Sequence, residues 1–372
     1  MIRLIPSLPA IYVIARMVWP LPWPLALRLG LAAILLAASQ YHLWSRFSSG
    51  SVFAPEFPRP VVILFNGVFG AIALAAPLQL ALDLVALTSM ALPGGDWAIP
   101  TAWRLAVGFT AVLLAAVAVR QAVRVPPLKE VPVTIPGLPP GFDGYTILHL
   151  TDLHISRLFP AAWARAVVTR ANDLKVDLIV VTGDFIDGSL EARRNDVEPL
   201  RALRARDGVW AVPGNHEYFF DFDGWMRHLA GLGIRILSNA HTVLRREGGA
   251  LVLAGVTDRS ARATGHPGPD LDAALAGAPG GAPILLLDHQ PANAAKSAAR
   301  GVALQLSGHT HGGMIRGLDR LVARGNAGFV SGAYRVGTML LYVSNGTALW
   351  PGFALRLGRP SELTRITLRR AS

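Results

Sequence analysis

Leu306-Ser307-Gly308-His309-Thr310-His311-Gly312-Gly313 is the stretch from which the chain is best read. The apolar run Val302 to Leu306 has the composition of a buried strand. It breaks at a glycine and then offers two histidines one residue apart. At a strand end, such a pair aims both imidazoles into one cleft. Neutral imidazole nitrogen is the commonest protein ligand for zinc-, iron- and manganese-like ions, and the flanking glycines let backbone and ligand approach closely. An isolated His-x-His marks a surface more often than a metal. Its meaning here comes from four fragments upstream.

Each of those fragments follows a short apolar run with strand character. Thr146–Leu150 leads to Asp152 and His154. Leu178–Val181 leads to Gly183, Asp184 and Asp187, and Val209–Val212 leads to Gly214-Asn215-His216-Glu217. Ile284–Leu287 leads to Asp288-His289. Singly, each has an ordinary explanation as a turn or a helix cap. Five together, all built from oxygen and nitrogen donors and all directly after strands, point to one site, because open α/β sheets bind ligands at the ends of their strands. Between them lie helical stretches at 163–174, 190–205, 225–232 and 292–300. Further strands are expected at 234–237, 241–245, 251–256, 338–343 and 365–368. Alternation first and consecutive strands later predict a layered α/β domain with mixed sheets.

In this order and spacing, Asp-x-His, Gly-Asp-x-x-Asp, Gly-Asn-His-Glu, a lone His and Gly-His-x-His resemble the calcineurin-like metallophosphoesterases, from about Tyr145 to Leu368. The resemblance implies a four-layer αββα sandwich and a two-metal site. Asp152, His154 and His311 would hold one divalent ion, and Asn215, His289 and His309 the other, with Asp184 bridging them. His216 would be the catalytic histidine beside the leaving group, oriented by Asp187. Two departures stand out: Met314 where this branch usually has Gln, and Glu217 where Asp is more frequent. Two aspartates against two divalent ions leave the site net positive. That suits an anionic phosphate and a metal-activated water. Nitrogen and oxygen donors without thiolate fit manganese, iron or zinc, manganese being favoured, and fit calcium poorly.

The first third reads differently. Residues 25–44, 61–82 and 102–119 are apolar runs with at most one charge each, approaching the roughly 20 residues that cross a bilayer as a helix. An earlier run, 4–20, is broken by prolines and Arg16. Three to four spans are therefore expected within residues 1–124, followed by a proline-rich connector at 125–143, whose alternating stretch 130–135 could already be an edge strand, and a phosphoesterase domain at 144–372. Recurrence of the apolar runs argues against a cleavable leader. The loop between the last two runs, 83–100, holds Asp83 and Asp96 but no Lys or Arg, whereas Arg46, Arg59, Arg120, Arg124 and Lys129 flank the other ends. The positive-inside rule then places the C-terminal domain in the cytoplasm, attached to the inner or plasma membrane.

A net charge of +11 suits an anionic partner, either nucleic acid or a membrane surface. The apolar third favours the bilayer, and no nucleic-acid motif is present. With no cysteine there is no disulfide frame, thiolate site or thiol nucleophile. The layout is similar to the membrane-anchored branch of the family, which includes UDP-2,3-diacylglucosamine pyrophosphatase-like proteins. It implies a phosphorylated, lipid-linked substrate such as UDP-2,3-diacylglucosamine. The alternatives are a tethered phosphodiesterase or phosphatase of broad specificity, a non-catalytic membrane scaffold, and a transport channel. Arg193 to Arg206 reads as a solvated helix face, His149 as a packing residue, and Trp350 to Phe353 as either a buried loop or an apolar lip near the site.

Overall fold

The computed structural model describes residues 7–90 and 98–371 and divides them into two compact units. The first comprises the chain up to Ala122 together with Pro351–Leu357. Its helices are α1 (Leu8–Val13, continued by a π turn to Val18), α2 (Leu25–Ser39), α3 (Tyr41–Ser49), α4 (Arg59–Ser89) and α5 (Thr101–Val123, whose last residue falls in the second unit). Among the described residues, α4 and α5 alone are long and apolar enough to cross a bilayer as single helices. The run 25–44, expected as one span, breaks at Gln40, which leaves helical geometry at φ −90°, ψ 19°, so that α2 and α3 meet at 56°. Together they make a third span only if the bent pair is counted as one. The first apolar run supplies only the short helix Leu8–Val18. Large apolar side chains face outward along this unit, with Leu64, Val85, Phe109 and Val112 each 60% exposed or more. Water penalises such a surface and hydrocarbon does not.

Asp83, expected in a loop, is inside α4, where it accepts from Arg16 Nε (2.8 Å), Tyr12 Oη (2.6 Å) and Gln79 Nε2 (2.7 Å). Asp96, the other acid of that expected loop, lies outside the described residues. The buried Asn66 of α4 has a counterpart too: its Nδ2 donates to Pro351 O (2.8 Å) and its Oδ1 accepts from Ala354 N (2.7 Å). Tyr41 Oη also donates to Pro351 O (2.8 Å), and Phe353 packs edge-on against Phe69. Phe353 is therefore held among the helices rather than forming a free apolar lip.

The second unit holds two six-stranded sheets. In chain order its elements are β1 (Leu128–Ile135), β2 (Thr146–Leu150), α6 (Ala161–Asp173), β3 (Leu178–Thr182), α7 (Leu190–Val197), β4 (Val209–Val212), α8 (Phe222–Gly231), β5 (Arg235–Ile236), β6 (Ala240–Arg246), β7 (Gly249–Gly255), α9 (Leu271–Leu275), β8 (Ile284–Leu287), α10 (Ala294–Ala299), β9 (Leu304–Ser307), α11 (Asp319–Gly325), β10 (Gly332–Val336), β11 (Met339–Val343) and β12 (Leu363–Arg370). The first sheet runs β1-β12-β2-β3-β4-β5 and the second β10-β11-β9-β8-β7-β6. Strands β2 to β5 are parallel, as are β7, β8, β9 and β11.

Period-two alternation explains the stacking. Ile147, Leu178, Val180 and Val212 from the first sheet pack against Leu253, Leu285, Leu287, Leu304 and Leu306 from the second. The opposite face of the second sheet, with Val252, Ala254, Leu286 and Leu341, is covered by Ala274 of α9 and Ala294 of α10. Helix α6 buries Trp163, Val167 and Ala171. It links the parallel strands β2 and β3, whose inner face is already filled, so it covers the outer one.

Within residues 125–143 the alternating stretch 130–135, which reads as an edge strand, belongs to β1, which pairs in parallel with β12. Pro132 is tolerated there because β1 is an edge strand. The helix expected over 190–205 ends at Val197, where Pro199 introduces a 3₁₀ turn. Arg193, expected on a solvated face, is fully buried, and its Nη1 donates to Asp196 Oδ2 at 2.6 Å.

Candidate metal centre

Six strand ends deliver the polar side chains. From the first sheet, β2 leads to Asp152 and His154, β3 to Asp184 and Asp187, and β4 to Asn215 and His216. From the second, β8 leads to His289, β9 to His309 and His311, and β11 to Asn345 and Gly346. Backbone bonds lock these turns together: Asp152 N donates to Gly183 O (3.0 Å), His154 N to Asp184 O (3.0 Å) and Gly308 N to His289 O (2.9 Å).

Nearly every group is buried and convergent. One set is Asp152, His154 and His311, and another is Asp184, His289 and His309. In each set, one ligand atom per residue lies within 4.8 Å of the others. A third overlapping set, His154, Asp184 and His216, joins them through Asp184. Nε2 of His154 faces Nε2 of His311 at 3.3 Å, with Asp152 Oδ1 at 3.9 Å from the first and 3.7 Å from the second. On the other side, Asn215 Oδ1 lies 3.0 Å from His289 Nε2 and 2.8 Å from His309 Nδ1. Imidazole lone pairs pointed at one another beside carboxylates repel unless a cation lies between them. This donor set, nitrogen and oxygen with no sulfur, fits divalent transition ions. His289 is set for that role by its other nitrogen, since Nδ1 donates to Thr182 O (2.7 Å) and leaves Nε2 turned inward.

All the residues expected at the site are brought together. His216 Nδ1 is 2.5 Å from Asp187 Oδ1, and Asp187 Oδ2 is 3.0 Å from His154 Nδ1. Asp187 thus orients two histidines rather than one. Burial disfavours the charged form of His216, but the carboxylates of Asp184 and Asp187 outweigh it and raise its pKa to about 9. Asp187 behaves conversely: burial pushes it up, yet His154 and His216 hold it below the usual carboxylate range. His309 is pushed down to about 3 by burial and by the charge of His289.

Three supports were not anticipated from sequence. Glu217, fully buried, accepts from Phe185 N (2.7 Å), Asp184 N (3.0 Å) and Gly214 N (2.6 Å), tying two ligand loops together. The segment after β11 lies behind Asp152, with Thr347 N donating to Thr151 O (2.8 Å) and Ala348 N to Asp152 O (2.9 Å). In it, Gly346 has φ +85°, and a Cβ there would lie 3.1 Å from both Asp152 Cβ and His311 Nδ1. The rule that found the other blocks, polar residues directly after a strand, applies equally to Ser344-Asn345-Gly346. The third support is backbone strain. Asp152, His154, Asp184, His309 and His311 all have φ between 42° and 68°. Non-glycine residues pay for that region and keep it where surrounding structure forces it. His149 is fully buried, with Nε2 at 2.8 Å from Thr182 Oγ1, and His241 bonds Ala274 O away from the cluster.

The calcineurin-like phosphoesterase model matches residues 145–313. A transmembrane protein with metallophosphoesterase domain from Danio rerio is 34% identical over 72% of this chain and 62% of its own length. An uncharacterized metallophosphoesterase of Helicobacter pylori is 33% identical over 65% of this chain and 64% of its own. The uncharacterized metallophosphoesterase YkuE of Bacillus subtilis is 30% identical over 62% of this chain and 82% of its own. This chain thus spans somewhat under two thirds of the first two relatives.

Proposed function

This chain belongs to the calcineurin-like phosphoesterase family, and we propose that it is a membrane-associated, metal-dependent phosphoester hydrolase that cleaves a lipid-linked phosphoester or pyrophosphate. UDP-2,3-diacylglucosamine is the first compound to test. The observation that carries this reading is a phosphoesterase donor cluster on a chain whose own α4 and α5 expose an apolar surface. An enzyme fixed in a bilayer meets lipid-linked phosphates at high local concentration. The distribution of Arg and Lys supports a cytoplasmic catalytic unit, where a nucleotide-linked lipid is accessible.

In this reading Asp152, His154 and His311 would hold one ion and Asn215, His289 and His309 the other, with Asp184, which joins the candidate sets, available to both. Manganese is the first ion to try. Bound there, divalent ions lower the pKa of water and neutralise phosphoryl oxygens. The chain's own residues do the rest. Asp187 fixes His216 through Nδ1 and favours its imidazolium. His216 then carries a proton on Nε2 and gives it to the leaving oxygen. Asp187 at the same time holds Nδ1 of His154, so that Nε2 of that ring faces the ligand atoms. Glu217 keeps the Asp184 and Gly214 turns in register.

The test is metal-dependent hydrolysis by the full-length protein, comparing UDP-2,3-diacylglucosamine with a bis-aryl phosphate, with Asp184→Ala and His216→Ala as controls. Fast, Asp184-dependent cleavage of the lipid over the aryl ester supports the proposal. Cleavage of the aryl ester alone removes the lipid substrate and favours the tethered broad-specificity phosphodiesterase. Failure on both with metal bound favours the scaffold.

A further inference from the structure

Past the metal-ligand loop, the chain turns at Met314 and enters α11. Helical hydrogen bonding starts early, with Leu318 N and Asp319 N both donating to Ile315 O. Arg320 and Arg324, four residues apart in α11, share one side of the helix, and Arg316 lies in the turn just before it, where Gly317 at φ +103° departs from helical geometry. All three are exposed, and none of their guanidinium groups has a hydrogen-bond or ion-pair partner among the described residues. Beside them Leu321 is 58% exposed. Among the described residues, Leu321 and Phe219 are the only large hydrophobic side chains exposed in the phosphoesterase unit.

The other side of α11 is anchored. Asp319 is buried and paired with Arg359. Gly313, the last glycine of the His309–Gly313 loop, lies so close to Asp319 that a Cβ on it would collide with the Asp319 backbone. Ile315 is bridged to Gly358, and a Cβ on Gly358 would lie 3.3 Å from Arg316 Cβ. Gly358 is also the residue directly after Leu357, where the chain leaves the segment belonging to the apolar helical unit. The stripe is thus tied on one side to the candidate metal ligands and on the other to the chain's exit from that unit.

We propose that Arg316, Arg320, Leu321 and Arg324 form a docking surface for anionic lipid headgroups. Unpaired guanidinium groups around one exposed leucine match a negatively charged bilayer surface: the cations meet phosphates and the leucine enters the headgroup–acyl boundary. The occupant is the bilayer in which the chain's own helices are embedded. Docking would hold the His309–Gly313 loop at the lipid surface and favour lipid phosphoesters over soluble ones. This rests on the membrane reading of the helical unit.

The absence of cysteine allows a clean experiment. Ala327→Cys, exposed just beyond α11, carries an environment-sensitive fluorophore on the full-length protein. The protein is reconstituted in phosphatidylcholine vesicles with or without phosphatidylglycerol, each containing a spin-labelled quencher lipid. Quenching is expected to need phosphatidylglycerol and to weaken in high salt. Each Arg→Gln replacement should lower the docked-to-undocked ratio about fivefold, and Arg→Lys should keep it. Equal quenching without phosphatidylglycerol, or none with it while the protein resists alkaline extraction, overturns the proposal. Extraction of the protein by alkali would overturn the membrane reading itself. In detergent, the Arg→Gln variants should retain wild-type activity on a soluble aryl ester. A loss there would assign the stripe to substrate binding instead and refute docking.

Discussion

Replacing Glu217 by Gln is the most informative single change, because it preserves volume and removes acceptors. The carboxylate serves three backbone N–H groups, from Asp184, Phe185 and Gly214, at 3.0, 2.7 and 2.6 Å. An amide has one acceptor oxygen. In its best orientation that oxygen keeps the Asp184 and Gly214 donors, and the NH2 group faces Phe185 N–H. At least one buried donor is then stranded, at a cost of about 1–3 kcal/mol. If the strain falls on the turn that presents Asp184, metal affinity should drop roughly 5- to 150-fold. The assay is a manganese titration of detergent-solubilised full-length protein, with turnover measured at saturating metal. Glu217→Asp separates charge from reach, since it keeps the charge but falls short of the three donors. If hydrogen bonding is the cause, Asp should behave like Gln; if net charge is the cause, Asp should behave like the wild type. A Gln variant that matches the wild type in both metal affinity and melting temperature refutes the reasoning.

Gly214→Ala should abolish metal loading, because the added Cβ would collide with Asp184 Oδ1 and lie 2.9 Å from Asp184 Cγ; metal analysis of the purified variant checks this. Asn66→Leu should free the Pro351–Leu357 segment by stranding Ala354 N–H, a loss of about 1–3 kcal/mol, seen as faster proteolytic cleavage there at unchanged metal affinity. His149 sits at about pH 3 because of burial, whereas an unfolded histidine titrates near 6.5. Its neutral form therefore supports the fold fully above pH 6.5, and that support is lost progressively as pH falls towards 3. His149→Gln should flatten the loss of thermal stability measured between pH 7 and 5. Asp187→Asn should lower turnover and shift its pH profile to lower pH, because His216 loses a carboxylate that holds its proton; an unchanged profile would show that Asp187 does not tune His216.

The candidate site of this protein was legible in its sequence because polar residues at strand ends are local. A strand fixes the direction of the residues just after it, so Asp152, His154, Asp184, Asn215, His289, His309 and His311 could be placed from short runs and their punctuation. The apolar composition of residues 61–82 and 102–119 likewise marked α4 and α5, since length and lack of charge are properties of the segment itself. Tertiary structure alone decided what depends on a partner distant in the chain. Gln40 breaks a run that composition draws as continuous. Asn66 acquires its purpose from residues near 351, and Glu217 from donors on the loop after β3 as well as its own. Asp187 serves a second histidine 33 residues upstream. The left-handed backbone of five cluster residues is likewise imposed by the packing of two sheets, because nothing in an isolated Asp or His favours that conformation enough to select it.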